Sequence, residues 1–257
     1  MHRKYYVILG VWASLFLWIT GCATTARNQE QADIHMDIGI AYIQSGKYNS
    51  ALKELLQAEK MGKPNPKVHY FLGVSYYGKG LNELAIDEVK KAVKIDPKYS
   101  EAHNFLGAIY INMEKWDMAI DSFEKALANI LYDTPSAAHY NMGWAYYRKG
   151  DYVSALKQYE LALVQEPDTI LLPLIEKNRG IVLLAQGRTT ESLRHLQRSV
   201  ELMPFLAETH YWIGQCFVEQ KNREKAEAAF QEVLKLAPDT EWGAKSKVKI
   251  TELSAVK

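Results

Sequence analysis

HYFLG, residues 69–73, is one of five pieces of this chain built on a frame of histidine, two variable residues, an apolar residue and glycine. The others are HMDIG at 35–39, HNFLG at 103–107, HYNMG at 139–143 and HYWIG at 210–214. Aligned on the glycine, a sixth copy falls at Gly180. The series Gly39, Gly73, Gly107, Gly143, Gly180 and Gly214 then runs at intervals of 34, 34, 36, 37 and 34. A fixed period near 34 marks a repeat architecture, in which one helix pair is copied along the chain.

Other positions keep step with the glycine. Twelve residues on come Ala51, Ala85, Ala119, Ala155, Ser192 and Ala226; sixteen on come Leu55, Val89, Phe123, Tyr159, Leu196 and Phe230. Three past the glycine stand Tyr42, Tyr76, Tyr110, Tyr146, Leu183 and Phe217, and twenty-four past it four copies place Pro97, Pro167, Pro204 and Pro238. Glycine and a small residue belong where two antiparallel helices approach closely. The large apolar positions fill the layer between neighbours, and proline stops the second helix. GKY (46–48), GLN (80–82), EKW (114–116), GDY (150–152), GRT (187–189) and KNR (221–223) mark the short turns inside each pair. The fold class is all-α.

This set resembles the tetratricopeptide repeat. The resemblance implies a right-handed superhelical solenoid of six helix pairs, at about 32–65, 66–99, 100–135, 136–172, 173–206 and 207–240. One pair cannot bury its own apolar face, so the pairs should stack as a single domain over 32–257. The tail WGAKSKVKITELSAVK, with Ala244, Val248, Ile250 and Leu253 near helical spacing, reads as a capping helix over 241–256, the alternative being a frayed end. Repeat five departs from the family pattern: Arg179 and Ser192 stand where leucine and alanine are usual, which implies a changed packing layer or a second partner site.

The start of the chain differs in kind. MHRKYY is basic, VILGVWASLFLWIT is apolar, and Gly21-Cys22 follows, the pattern of a secretory signal peptide over 1–21. The apolar run is shorter than the roughly 20 residues that span a bilayer. Ile19-Thr20-Gly21-Cys22 resembles a bacterial lipobox, which implies lipidation at Cys22 by diacylglycerol and an N-acyl chain, the one covalent group expected; no cofactor or metal is. Several acyl chains anchor stably where one would not. An ordinary signal peptide with an incidental cysteine is the alternative. Residues 22–31, polar after the cysteine, read as the lipidated residue and its tether. Ala23 in place of aspartate implies the periplasmic face of the outer membrane. Cys216 is the only other cysteine and lies in an apolar helical stretch, which predicts burial as a small hydrophobe.

Thirty-one Lys+Arg balance thirty Asp+Glu, and no basic block occurs, so nucleic acid is an unsuited partner. No G-x-S-x-G, H-E-x-x-H, C-x-x-C or phosphate-binding glycine loop is present, so neither catalysis nor a small-molecule substrate is expected. His35, His69, His103, His139 and His210 occupy one place in their repeats. They would step along the stack by about 10 Å each, a row for packing or hydrogen bonding between repeats and not for one metal.

In this repeat family the first helix of each pair lines a concave surface. The family's groove positions here are Met36, Ile40 and Ile43; Tyr70, Val74 and Tyr77; Asn104, Ala108 and Ile111; Tyr140, Trp144 and Tyr147; Lys177, Ile181 and Leu184; and Tyr211, Gln215 and Val218. Spacing of three and four puts each trio on one helix face. Met36, Ile40, Ile43, Tyr70, Val74, Tyr77, Ile111, Tyr140, Trp144 and Tyr147 are the expected protein-binding residues, because large apolar strips seldom stay uncovered.

Lipobox, six repeats and the join NILYDTP before HYNMGWA (129–145) together resemble the type IV pilus biogenesis and stability lipoproteins, pilotins of the PilF, PilW and Tgl kind. In that join two extra residues put Leu131 at the usual proline place and move the expected helix stop to Pro135. The resemblance implies an outer-membrane lipoprotein that binds the pilus secretin and promotes its localisation and multimerisation. The rival reading is a general periplasmic scaffold serving outer-membrane protein insertion or peptidoglycan enzymes.

Overall fold

The computed structural model describes residues 26–255, and the secondary structure among them is helical. The signal peptide, Cys22 and residues 256–257 lie outside the described residues. Helix α1 occupies 26–44. It is followed by α2 (Tyr48–Met61), α3 (Pro66–Gly78), α4 (Asn82–Ile95), α5 (Ser100–Asn112), α6 (Trp116–Leu127) and α7 (Pro135–Arg148). The chain continues through α8 (Tyr152–Gln165), α9 (Leu172–Ala185), α10 (Thr189–Leu202), α11 (Ala207–Glu219), α12 (Arg223–Leu236) and α13 (Glu241–Ala255). Helices α1 with α2, α3 with α4, α7 with α8, α9 with α10 and α11 with α12 form expected pairs. The described part of the expected tether, 26–31, is already helical, and Gln29 there accepts a hydrogen bond from the Lys63 backbone at 2.9 Å. No helix among the described residues is long and apolar enough to cross a membrane.

Contacts gather into two compact units, one ending at Ile109 and one beginning at Tyr110, with α5 running across the division. In the first, Ala51, Leu52, Leu55, Ala58, Val68 and Leu72 form a core on which Met36, Tyr42 and Ile43 pack. In the second, Tyr159 anchors a core with Ile175 and Val182, and Phe230 anchors another with Ala226 and Val233.

The glycine register has a direct cause. A methyl group on Gly73 would meet Val89 Cγ2 at 2.5 Å, and one on Gly143 would meet Tyr159 Cε1 at 2.6 Å. In both cases the crowding atom belongs to the residue sixteen positions on, so the large residue can pack there only because the facing position has no side chain. The small positions twelve on, from Ala51 to Ala226, are fully buried. Ser192 keeps the alanine's place in repeat five because its hydroxyl donates to the Gly180 carbonyl at 2.7 Å and lies 3.2 Å from Cys216 Sγ. Cys216 is buried as expected, and burial pushes its thiol above its ordinary pKa.

The turns inside each pair repeat one geometry. Gly46, Gly80, Gly150 and Gly187 take φ between 68 and 82°, and Glu114 and Lys221 take the same left-handed conformation at 57 and 55°. In each turn the following amide returns to a carbonyl three past the repeat glycine, as Leu81 does to Tyr76 at 3.0 Å and Asn222 to Phe217 at 2.9 Å. This pattern closes a helix C-terminus.

Two expectations need correction. Pro135 does not stop α6, which ends at Leu127; it is the first residue of α7, where its missing N–H costs nothing. The capping helix forms, but its inward face is Trp242, Gly243, Ser246, Ile250 and Leu253, whereas Ala244 and Val248 are exposed. The geometry at the start of α13 decides this: Thr240 caps it through the Gly243 amide, and Gly243 sits against the Ala237 and Pro238 carbonyls, where a side chain would not fit.

Candidate protein-binding face

In the first unit, Met36, Ile40 and Ile43 on α1 and Tyr70, Val74 and Tyr77 on α3 are all half-buried. Met36 and Ile43 rest on the core below them. Tyr70 is held by rings on three sides: Phe71 at 5.1 Å, Tyr99 at 5.3 Å and Phe105 at 5.7 Å between centroids, with Tyr77 5.4 Å from Phe105. Offset and edge-on rings in this number make a rigid apolar surface at low entropy cost. Tyr99 and Phe105 fell outside the family groove positions. They reach this face because the start of α5 packs beside α3.

In the second unit, Ile111, Tyr140, Trp144 and Tyr147 are also half-buried. Trp144 and Tyr147 lie 5.2 Å apart, Tyr147 meets Tyr152 at 6.0 Å, and Tyr140 tilts onto Tyr159 at 6.1 Å. Burial raises the phenol pKa of Tyr140 and Tyr147, so both stay neutral. Arg148 stacks 4.6 Å from the Trp116 ring and 5.8 Å from the Trp144 ring while pairing with Glu114 at 3.4 Å. The Trp144 edge is therefore both aromatic and cationic.

The expected strip is only partly open in repeats five and six, where Leu184, Gln215 and Val218 are half-buried. Ile181 and Tyr211 are buried, and Lys177 is buried in an ion pair with Glu208 at 2.6 Å. Trp212 Nε1 also donates to Glu208, at 3.3 Å. Lys177 stood at a groove position in the sequence, but its partner lies 31 residues away and follows no repeat rule.

The histidines bond both within repeats and, as expected, between them. His35 and His69 meet Glu54 and Glu88 at 2.6 and 2.8 Å, and His139 meets Gln158 at 2.7 Å, each partner nineteen residues on. His103 and His210 turn instead to the Pro97 and Pro204 carbonyls at 3.0 and 2.8 Å. Burial works to raise the Glu88 carboxyl, but hydrogen bonds from His69 and Lys91 outweigh it and hold its pKa below the usual carboxylate range. Glu59, His69 and Glu88 bring their ligand atoms within 4.8 Å of one another, close enough to reach one ion; Lys91 pairs with Glu88 at 2.7 Å.

The comparisons with known proteins agree with this architecture. Family models described as tetratricopeptide repeat match residues 36–100, 99–163 and 171–239. The photosystem I assembly protein Ycf3 of Synechococcus elongatus is 27% identical over 133 residues, covering 46% of this chain and 77% of that protein. PilF of Pseudomonas aeruginosa superposes with a TM-score of 0.74 at 17% identity, covering 86% of this chain and 99% of that one. PilW, a type IV pilus biogenesis factor, superposes with a TM-score of 0.76 at 18% identity, covering 83% and 97%.

Proposed function

The chain belongs to the tetratricopeptide-repeat family, and from that premise we propose that it is a pilotin, an outer-membrane lipoprotein that binds the secretin of a type IV pilus machine. The observation that carries the reading is that each unit has its own half-buried aromatic surface, with Tyr70 and Tyr77 in the first and Trp144 and Tyr147 in the second. Such a surface suits apolar side chains of a secretin segment, and acyl chains at Cys22 would supply the address and a high local concentration. The action is binding and escort to the outer membrane, followed by promotion of the multimeric ring. The likeness in fold to PilF and PilW over nearly their whole chains supports this choice among repeat proteins.

Deletion of the gene tests it: secretin multimers should vanish from the outer membrane while monomers persist. Unchanged multimers would reject the role. Cys22→Ser should leave a folded repeat domain with mislocalised secretin. The second reading, a general assembly scaffold on the same face, is favoured by the match to Ycf3, itself an assembly protein. It predicts that secretin is unaffected by the deletion and that other envelope complexes fail.

A further inference from the structure

The second unit presents two edges of different chemistry. The turns within its pairs are polar, with Lys149, Asp151, Arg188 and Asn222 among them. The joins between repeats lie together at the other edge. Ser136 at the start of α7 donates to Glu166 after α8 at 2.5 Å, and Lys177 of α9 reaches Glu208 in the first turn of α11 at 2.6 Å. At this edge Ile130 is 95% exposed, Leu131 81%, Ile170 89% and Phe205 82%.

These exposures have no packing explanation. The joins are held by other residues, Tyr132 and Thr169, which are buried. Ile130, Leu131 and Ile170 fall in the two joins that exceed the 34-residue period, so the added length is where the apolar tips stand. Nearby amides are paired: Leu131 donates to Asn129 Oδ1 at 3.1 Å, Leu171 to Thr169 Oγ1 at 3.3 Å and Leu206 to the Met203 carbonyl at 3.2 Å.

We propose that this edge rests on a lipid surface, with Ile130, Leu131, Ile170 and Phe205 inserted among the acyl chains. The proposal rests on the lipid-anchor reading given above. Three residues separate Cys22 from the first described residue, a reach of at most about 14 Å, so acylation would keep the chain tethered to the bilayer. Shallow insertions that would be too weak alone then act at high local concentration. Separate convex tips, spaced by roughly a helix diameter of about 10 Å, need a fluid apolar medium and no matching register. A protein partner would need a pocket for each. Asp133, Glu166 and Asp168 flank the tips, which fits zwitterionic headgroups and opposes anionic ones.

The test uses the full acylated protein on vesicles rich in phosphatidylethanolamine, with a fluorophore on a single added cysteine. Cys22 is acylated and Cys216 buried, so labelling is selective. L131C, I170C and F205C should each lose at least half their fluorescence to lipids brominated on the acyl chains, while Q220C at the opposite edge keeps its signal. Serine at 130, 131, 170 and 205 together should leave the circular dichroism unchanged and abolish the shielding of a label at 133. Protein that sediments with vesicles but shows no quenching at any label overturns the proposal and leaves the anchor standing. Protein that does not sediment overturns the anchor reading and this proposal with it. Shielding that arises only when a secretin is added overturns it in favour of a protein contact.

Discussion

Glu176 and His195 bond at 2.6 Å with their places exchanged: in repeats one and two the histidine lies on the first helix and the glutamate on the second, and in repeat five the reverse holds. The distance in sequence, nineteen residues, is unchanged. In these three repeats the pair, not either residue's place, is what recurs, since a buried donor needs its acceptor wherever each is attached.

The exchange is testable. Glu176→His alone and His195→Glu alone should each destabilise the protein, and the double substitution should recover most of the loss, with a coupling of about 1–3 kcal/mol in urea unfolding. Burial works to raise the Glu176 carboxyl, but the bond to His195 and nearby cations outweigh it, so its pKa lies below 4.5. A depressed carboxyl contributes stability that is present above about pH 4.5 and lost as pH falls through the folded value. Glu176→Gln should flatten that acid limb.

His139 titrates in the opposite chemical sense but with the same slope. Burial lowers its pKa below 6.5, against the hydrogen bond to Gln158. Its neutral form is the folded form, so its contribution is full above about pH 6.5 and falls as the ring is forced to protonate. Gln158→Glu recreates the pairing of the first two repeats and should raise the His139 pKa, measurable by proton NMR of the ring.

Gly73→Ala should cost about 1–3 kcal/mol, because the new methyl group meets Val89 and the packed core cannot move freely. Val89→Ala in the same protein should relieve much of that cost. Thermal unfolding of the three variants would show it as non-additivity.

Removal of one charge from the Lys177–Glu208 pair strands the other, since both side chains are mostly buried. Lys177→Met should destabilise by about 3–5 kcal/mol, whereas Lys177→Met with Glu208→Leu should be close to neutral. Chemical denaturation of the single and double variants distinguishes a specificity device from a source of stability.

Trp144 is the one tryptophan at the expected binding positions and is braced by Arg148 and Tyr147. If the proposed secretin is the partner, Trp144→Ala should weaken its binding by about 2 kcal/mol, roughly thirtyfold in Kd, with the helical content retained. Val153→Ala, an exposed residue outside the face, should leave the affinity unchanged.

Much of this protein follows from the sequence alone, because a repeat states its rule six times. The glycine with its large residue sixteen on, the small residue twelve on and the left-handed turn position are local or near-local demands, and each recurs at the expected residue. Even Glu114 and Lys221, which replace glycine in that turn, were legible from register. What tertiary structure decided are contacts with no fixed offset. Tyr99 and Phe105 join the Tyr70 face, Lys177 finds Glu208, and Ile181 and Tyr211 are buried where the pattern placed them in a groove. The same holds for the cap, whose inward face is set by how Gly243 fits under Pro238 and not by apolar spacing. Periodicity specifies which side of a helix meets its own partner; how much of the other side stays open depends on side chains brought in from neighbouring repeats, and those are free to differ.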